Sequence, residues 1–289
     1  MNIARDAITR SAMSRGGQTP RETDDSSAPR SRGGLTLEQF FIIVSPLSLL
    51  LLWQGLAYFN LIDVRIFSSP ARVAVIAWGM MLDGTLWTNL GITLARFAAG
   101  TILGLVPGLL LGLTMGLFRL PRAILNPIVA AIYPLPRIAL FPLVLLVVGL
   151  NERSNIFMIA LQPFFYMLIG SMSAVMNVDP IYLRVAKSFE TGTGDLYRLV
   201  ILPAAMPVIV SSLRLSIGGA LLVTIAVESL VADSGIGYLI WHSWQILSLG
   251  QAMVGLVLAG LLGFVMLQIL DVLERRLVPW SGAATVNAT

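Results

Sequence analysis

Six long apolar stretches, separated by short polar segments, make up most of the chain. A membrane-spanning helix needs roughly 20 residues, because a helix rises about 1.5 Å per residue and the hydrocarbon core is about 30 Å thick. The stretches long enough to cross lie at residues 39–62, 97–118, 123–150, 154–178, 204–227 and 248–270. The pattern therefore predicts an all-α, polytopic membrane protein built as a six-helix bundle.

Two segments depart from a plain apolar run. The segment at 69–89 mixes apolar side chains with Arg72 and Asp83, which predicts an amphipathic interfacial helix between the first two spans. Pro203 and Pro207 lie at the start of the fifth span, and since proline removes a helix hydrogen bond they predict a break there.

The flanking charges predict how the chain is oriented in a membrane. Residues 1–38 are rich in Arg, Ser and Gly and lack apolar periodicity, so we expect a disordered cytoplasmic tail before a transmembrane domain at 39–276. Cytoplasmic loops carry an excess of Lys and Arg. With the tail inside, six crossings place the basic loops and the C-terminal tail at 277–289 in the cytoplasm as well. Both termini are predicted to be cytoplasmic, in a bacterial inner membrane.

Composition supports a membrane protein and removes several classes of site. The chain is 56% hydrophobic and 12% charged, with a mean hydropathy of +0.84. The net charge is only +4, and the arginines flank apolar runs, which is typical of membrane topology and not of nucleic-acid binding. The absence of cysteine and a single histidine, His242, exclude thiolate chemistry and an H-E-x-x-H zinc site. We therefore expect neither a metal nor another cofactor.

The chain carries no phosphate-binding loop for ATP. Such a loop ends in Gly-Lys followed by Ser or Thr, and the only lysine, Lys187, follows Ala186. The chain is therefore predicted not to be an enzyme, and any ATP it uses must be hydrolysed by another subunit.

The polar loop between the fourth and fifth spans, residues 179–203, is predicted to fold as two short helices. Asp179 can cap a helix and Pro180 suits the first helical position. Ile181, Val185 and Phe189 recur every four residues and form one apolar stripe. The run Thr-Gly-Thr-Gly at 191–194 then supplies a glycine to end this helix and a threonine to start the next. We call residues 179–203 the elbow.

Charges within the apolar spans are candidate functional residues, because a charge in lipid is costly. Arg137, in the middle of the third span, can contact an anionic solute, pair with Glu228, or satisfy neighbouring carbonyls freed by Pro134 and Pro136. Arg214 lies near the cytoplasmic end of the fifth span, where its long side chain can reach water, and is interpreted as mainly structural. Arg96, at the outer start of the second span, is expected to be an interfacial anchor.

Glycines mark two further places. Glycines that repeat every four residues along the second span predict close approach of another helix; they are Gly100, Gly104, Gly108, Gly112 and Gly116. Gly235 and Gly237 are expected to shape an outer re-entrant turn.

The elbow resembles a known cytoplasmic signature. Residues 184–203 read RVAKSFETGTGDLYRLVILP, which is similar to the signature of permease subunits of ABC importers: Glu-Ala-Ala, a glycine beyond it, and Leu-Pro. Arg184 stands where that family commonly has glutamate, and Glu190 where it commonly has glycine. Further similarity covers about 69–280, through SPARV, PLPRIALFPL, PAAMPVIVSSLRLSIG and GIGYLI, and resembles the branch that imports nitrate, sulfonates and taurine.

The resemblance implies a six-helix permease bundle with a cytoplasmic coupling-helix elbow that docks on a cytoplasmic ABC ATPase dimer. The positions that match the centre of the signature would form the contact, and they are Ala186, Lys187, Ser188, Phe189, Glu190, Thr191 and Gly192. Phe189 is either the apolar anchor of this contact or a side chain packed inside the elbow. The implied partners are a second permease, most simply an identical copy, an extracytoplasmic solute-binding protein and membrane lipid.

The implied function is import of a small solute, such as a sulfonate, taurine or nitrate, by alternating access. A secondary transporter would usually show two repeated halves, and none is seen. An intramembrane enzyme would need a Ser, His and acid constellation at one depth. A membrane scaffold would explain the helices but not the signature in the elbow.

Overall fold

The computed structural model describes residues 37–280. The predicted N-terminal tail up to residue 36, and residues 281–289 of the predicted C-terminal tail, lie outside the described residues. The chain divides into two units at Leu49: the described part of the first unit is the beginning of one helix, and the second unit runs from Leu50 onward. Within 37–280 all regular structure is helical, so the all-α prediction is confirmed.

The helices follow one another with short connections. In chain order they are α1 (Leu37–Tyr58), α2 (Val64–Phe67), α3 (Pro70–Leu82), α4 (Thr85–Leu117), α5 (Arg119–Ile132), a 3-10 turn (Arg137–Leu140), α6 (Phe141–Val148), α7 (Glu152–Met176), α8 (Pro180–Ser188), α9 (Thr193–Asp195), a π-helical segment (Leu196–Ile201), α10 (Leu202–Val231), α11 (Ile236–Gln245) and α12 (Leu249–Leu277).

Four helical stretches in the described range are long and apolar enough to cross a membrane, namely α4, α7, the continuous stretch Leu196–Val231 and α12. The third predicted span is not a single helix: α5 and the stretch Arg137–Val148 meet at 89°, and together they would make a fifth crossing. Proline explains the break, because Pro134 and Pro136 lack the amide that would continue the ladder, and Pro136 is extended with ψ 107°. Helix α1 is apolar over Val44–Tyr58.

The expected break at Pro203 and Pro207 is wrong, since the helix continues through both residues. Pro203 lies in the first turn of α10, directly after the π-helical segment. The π-helical segment Leu196–Ile201 leads directly into α10, so the chain passes from the elbow to the membrane helix without a loop.

Helix α4 lies along α7, and α10 packs on the same helix. A β-carbon added at any glycine of the α4 stripe would lie within 3.0 Å of an atom of α7, so the predicted close approach is confirmed. At Gly108 that atom is the carbonyl oxygen of Phe164, and at Gly104 it belongs to Ala160. The α4–α7 pair is therefore a closely packed spine of the bundle.

A second core joins α3, the start of α4, α11 and α12. Ser69 caps α3, as its hydroxyl accepts a hydrogen bond from the amide of Arg72. The predicted interfacial segment thus forms a helix with buried residues of its own. Those in the shared core are Val73, Met80, Leu86, Leu239 and Val254.

Candidate functional site

The elbow begins as the sequence predicts. Asp179 is the N-cap of α8, and its Oδ1 atom accepts a hydrogen bond of 2.8 Å from the amide of Ile181. Pro180 occupies the first helical position, where no amide hydrogen bond is lost. The start of the elbow is therefore determined by two adjacent residues.

The end of α8 differs from the prediction, which placed it at a glycine of the run 191–194. Instead Glu190 adopts a left-handed conformation with φ +50°, directly after the C-cap Phe189. The amide of Glu190 donates to the carbonyl of Lys187 at 3.0 Å, and that of Thr191 donates to the carbonyl of Ala186 at 3.3 Å. This pair of bonds is a Schellman motif, which usually has glycine in the left-handed position.

Local hydrogen bonds hold the tip of the elbow. The Thr191 hydroxyl donates to the carbonyl of Ala186 at 2.9 Å, and the Ser188 hydroxyl donates to that of Arg184 at 3.2 Å. Ala186 is buried, so among the predicted contact residues it shapes the tip instead of facing outward. Thr191 is half-buried. The outward-facing members are Lys187, Ser188, Phe189, Glu190 and Gly192.

The outer face of the elbow is apolar. Phe189 is 79% exposed, so its ring does not pack inside the elbow. Ile181 and Val185 of the same stripe are each about half exposed. They border an open groove of about 860 Å³, which also includes Pro203 and, from beyond α12, Trp280. A capped helix that exposes such a face is suited to bind an apolar cleft of another protein.

A second polar site lies where the N-terminal parts of α4 and α7 meet the C-terminal part of α10. We call Thr93, Arg96, Glu152, Glu228 and Ser234 the polar cluster. Arg96 is only 4% exposed, and its guanidinium pairs with both Glu152 and Glu228, at 3.2 Å from the Glu228 carboxylate. It also donates to the Ser234 carbonyl at 2.5 Å. The expectation that Arg96 is an interfacial anchor is therefore wrong.

Glu228 is fully buried, at 0% exposure, and its carboxylate accepts hydrogen bonds from several groups. It accepts hydrogen bonds from the Thr93 hydroxyl at 2.8 Å and from the Gly237 amide at 3.0 Å, in addition to Arg96. The Thr93 hydroxyl in turn accepts from the Ile236 amide at 2.8 Å. The cluster thus ties the turn before α11 to α4.

The glycines of this turn are required by the cluster. Gly235 has φ +108°, a conformation that other residues rarely adopt. A β-carbon on Gly235 would collide with the Glu228 carboxylate, and one on Gly237 would lie 2.7 Å from the Glu228 β-carbon. The turn predicted from these two glycines is therefore present, and it closes over a buried acid.

Arg137 lies at the break between α5 and the 3-10 turn, and it does not meet Glu228. Its Nη1 atom donates to Oε1 of Gln162 on α7 at 2.7 Å. The guanidinium also lies 5.3–5.7 Å from the ring centres of Tyr133, Phe165 and Tyr166. Of the alternatives for Arg137, pairing with Glu228 is wrong, because Glu228 pairs with Arg96.

Arg214 is half-exposed on α10 and faces α12. Its Nη1 atom lies 2.6 Å from an Asp271 carboxylate oxygen and 3.5 Å from one of Glu274. Arg214 therefore joins two long helices through an ion pair. Among residues 37–280 no group of three or more His, Asp or Glu side chains lies close enough together to hold a metal ion.

The charged residues of the polar cluster could be identified from the sequence, but their partners could not. Charges inside apolar runs identify Arg96 and Glu228 as special, since such charges are rare. The pairing between them joins residues 132 positions apart, and Glu152 is 56 positions from Arg96. No local spacing rule relates side chains so distant, so the partner of each charge emerges only from helix packing.

The chain is similar to a known family over most of its length. A family profile described as "Binding-protein-dependent transport system inner membrane component" matches residues 100–280. SsuC of Escherichia coli (strain K12), a permease assigned to aliphatic sulfonates transport, is 32% identical over 82% of this chain and 90% of its own. TauC of the same strain, the taurine transport system permease protein, is 28% identical over 81% and 87%. The nitrate import permease protein NrtB of Leptolyngbya laminosa is 26% identical over 73% and 78%.

Solved structures share the fold. An amino acid ABC transporter chain superimposes with a TM-score of 0.59 at 16% identity, covering 71% of this chain and 98% of its own. A chain of the inward-facing methionine ABC transporter MetNI superimposes with a TM-score of 0.52 at 20% identity, covering 69% and 98%.

Proposed function

Because this chain belongs to the family of binding-protein-dependent transport system inner membrane components, we propose that it moves a small anion through the inner membrane. The chain is the non-catalytic permease subunit of an ABC importer. An importer of this kind joins its permease to an ATPase and a solute-binding protein. For this chain we propose the surface on which the ATPase docks, the arrangement of the subunits and the class of solute carried.

The elbow is the surface that we assign to the ATPase. The observation that carries this assignment is the 79% exposure of Phe189 at the tip of a helix capped at both ends. A large apolar side chain held out on a rigid helix binds well, because little conformational entropy is lost on docking. The surrounding contact is formed by Lys187, Ser188, Glu190, Thr191 and Gly192, while Ala186 supports it from below.

A pair of permeases with two ATPases is the assembly we propose. Symmetric pairing is the commonest oligomeric arrangement, and it places two elbows side by side facing a pair of ATPases. Both termini then lie in the cytoplasm, as the flanking basic residues favour. The many exposed apolar side chains of the long helices face lipid or the second copy.

Alternating access follows from the way in which the elbow is attached. The π-helical segment Leu196–Ile201 continues directly into α10, so a displacement of the elbow is passed to a membrane helix without a flexible loop. Helix α10 packs on α7, and α7 is held along α4 by the glycine stripe. Closure of the two ATPases would therefore rock these helices together as one body.

The solute we propose is a small oxyanion-bearing compound such as a sulfonate, taurine or nitrate. The support is the named cargo of the relatives, which are assigned to aliphatic sulfonates, taurine and nitrate.

The test of docking is the substitution Phe189→Asp, which places a charge on the exposed apolar tip. We expect membrane insertion to be unchanged and association with the ATPase to be lost, because a charge would have to be desolvated in an apolar cleft. The measurement is co-purification from detergent of the tagged chain with each ATPase encoded beside it, together with the ATPase rate of the isolated complex.

Phe59→Asp is the matched control. Phe59 is 71% exposed and lies just after α1, far from the elbow in sequence, so the same change there should leave the ATPase bound. If both variants lose the ATPase, the effect is a general loss of folding. If the ATPase stays with Phe189→Asp, docking uses another surface. If correctly inserted wild-type chain brings down no ATPase, a secondary transporter or a scaffold becomes the better explanation.

A further inference from the structure

Arg137 occupies an unusual position for a charged side chain. It begins the 3-10 turn at the 89° break of the third predicted span, with Pro136 immediately before it. Three aromatic rings surround its guanidinium, and Nη1 donates to the amide oxygen of Gln162. The rings stabilise the cation through their negative faces, and Gln162 is a neutral partner. These contacts hold the guanidinium in place but leave its charge uncompensated.

Two other arginines of the long helices are compensated inside the chain. Arg96 pairs with Glu152 and Glu228, and Arg214 pairs with Asp271 and Glu274. In contrast, no carboxylate of the described residues lies within ion-pair distance of Arg137. Its buried Nε atom has no hydrogen-bond partner in that part of the chain either. A buried donor without an acceptor is rare in native structures, so the described residues do not meet the hydrogen-bonding capacity of this guanidinium.

A second identical copy would bring the same paired acids in its long helices. In each copy Glu228 is enclosed by Thr93, Arg96 and Gly237, and the acids at the end of α12 lie beside Arg214. A separate anion would supply the counter-charge that these acids do not provide.

The surroundings of Arg137 suit a planar or tetrahedral oxyanion. Gln162 is only 9% exposed and accepts from Nη1, and this is the one hydrogen bond that the five N–H groups of the guanidinium make to the described residues. Arginine binds such groups with two parallel hydrogen bonds, which a point charge cannot match. Gly219 on α10 leaves room for the Gln162 amide, because a β-carbon there would lie 2.6 Å from Nε2 of Gln162. The site is therefore built from the break, α7 and α10.

We propose that Arg137, positioned by Gln162, Tyr133, Phe165 and Tyr166, binds the oxyanion group of the solute on its way through the permease. This inference rests on the proposed function and names the residue that selects for negative charge. One cation with a neutral partner attracts an anion without a second charge to trap it, as a transport site requires. Because Arg137 lies at the break and Gln162 lies on α7, rocking of α7 relative to the break would change the site between states.

The first test is direct binding to the purified full chain in phosphatidylcholine nanodiscs. Phenylglyoxal modifies arginine, and its rate at Arg137 and Arg214 is read from separate peptides by mass spectrometry. We expect ethanesulfonate to slow modification of Arg137 but not of Arg214, and the neutral dimethyl sulfone to slow neither. Equal rates at Arg137 with and without ethanesulfonate would overturn the proposal. A rate that depends only on replacing phosphatidylcholine by phosphatidylglycerol would assign the anion to a lipid headgroup, and would also overturn it.

The second test is ATP-driven uptake of taurine, ethanesulfonate and nitrate by the assembled importer in proteoliposomes. Arg137→Gln should bind the ATPase normally but lower uptake about tenfold, which is the order expected for loss of a charge-assisted hydrogen bond. Arg137→Lys should recover part of the uptake, because it restores the charge but not the two-pronged geometry. Arg214→Gln makes the same change at an arginine that is paired inside the chain. It should not lower the uptake of these anions in the way that Arg137→Gln does.

The outcomes separate this inference from the proposed function. If wild type imports an anion and Arg137→Gln imports it equally well, only the role of Arg137 is wrong. If Arg137→Lys is as impaired as Arg137→Gln, the residue acts through its shape and the charge proposal fails. If the wild-type complex imports none of the anions and ethanesulfonate also leaves Arg137 unprotected, both the anionic cargo and this inference fail.

Discussion

The elbow and the polar cluster provide hydrogen-bond partners for their polar groups in opposite ways. In the elbow, polar groups are satisfied within five residues along the chain, and the apolar side chains are left outside. In the polar cluster, Arg96 and Glu228 are buried and hydrogen-bonded to side chains 56 to 138 positions away. A locally satisfied element can move or bind as a unit, whereas a cluster joined across helices breaks if the helices separate.

This contrast suits a permease that has to couple motion to ATP. Exposed apolar surface on a self-contained helix is available for a partner, and the bundle loses no internal contact when the partner binds. Buried ion pairs at the junction of α4, α7 and α10 instead determine which helices stay together. We therefore expect substitutions in the cluster to lower stability, and substitutions at the elbow tip to change association.

The largest effect on stability is expected for Arg96→Met. The change leaves Glu228, which is fully buried, without its cation, and removing one partner of a buried pair costs about 3–5 kcal/mol. Most of this cost comes from Glu228, because the Glu152 side chain is 57% exposed and can be solvated. The measurement is the free energy of unfolding in mixed micelles, followed by tryptophan fluorescence.

Two variants test whether the unpaired charge of buried Glu228 causes this loss of stability. The double substitution Arg96→Met with Glu228→Gln removes the unpaired charge and should recover part of the lost stability. Arg214→Met breaks a half-exposed ion pair and should cost no more than about 1 kcal/mol. Equal losses for Arg96→Met and Arg214→Met would show that burial of the pair is not what matters.

A smaller loss of stability is expected for Gly104→Ala on the α4–α7 spine. The new methyl group would press on the backbone of Ala160, and overpacking of this kind costs about 1–3 kcal/mol. Gly218→Ala is the matched control, since Gly218 lies inside α10 and its β-carbon would meet no atom within 4 Å. There alanine should be neutral or stabilising by up to about 1 kcal/mol, because it favours helix more than glycine does. Thermal unfolding of the two variants in parallel gives the sign of each effect.

The smallest effect is a gain, expected for Glu190→Gly in the elbow. Glu190 has φ +50°, and a left-handed conformation costs a residue with a side chain about 1–2 kcal/mol, part of which the greater freedom of unfolded glycine cancels. The gain should be confined to the elbow, so amide hydrogen exchange of Lys187 to Thr191 is the measurement. Faster exchange of these amides in the glycine variant would contradict the strain assigned to Glu190.

Much of the elbow could be predicted from neighbouring residues. Asp179 and Pro180 mark the start of α8, and the spacing of Ile181, Val185 and Phe189 predicts its apolar face. The end of α8 could not be predicted in this way. Glutamate is an unusual residue for a left-handed position, and the glycines nearby were the better local candidates.

Features that depend on residues close together along the chain could be predicted from the sequence: apolar length, the N-cap of α8, the glycine stripe and the absence of a phosphate-binding loop. Which charges meet is a matter of helix packing. Arg96, Arg137 and Arg214 all look alike as single arginines in apolar runs, yet one is enclosed by two acids, one has only a glutamine and aromatic rings, and one joins two helices at their surface. The reason is physical: the cost of a charge in a membrane depends on its partners, and helix packing brings those partners from distant parts of the chain.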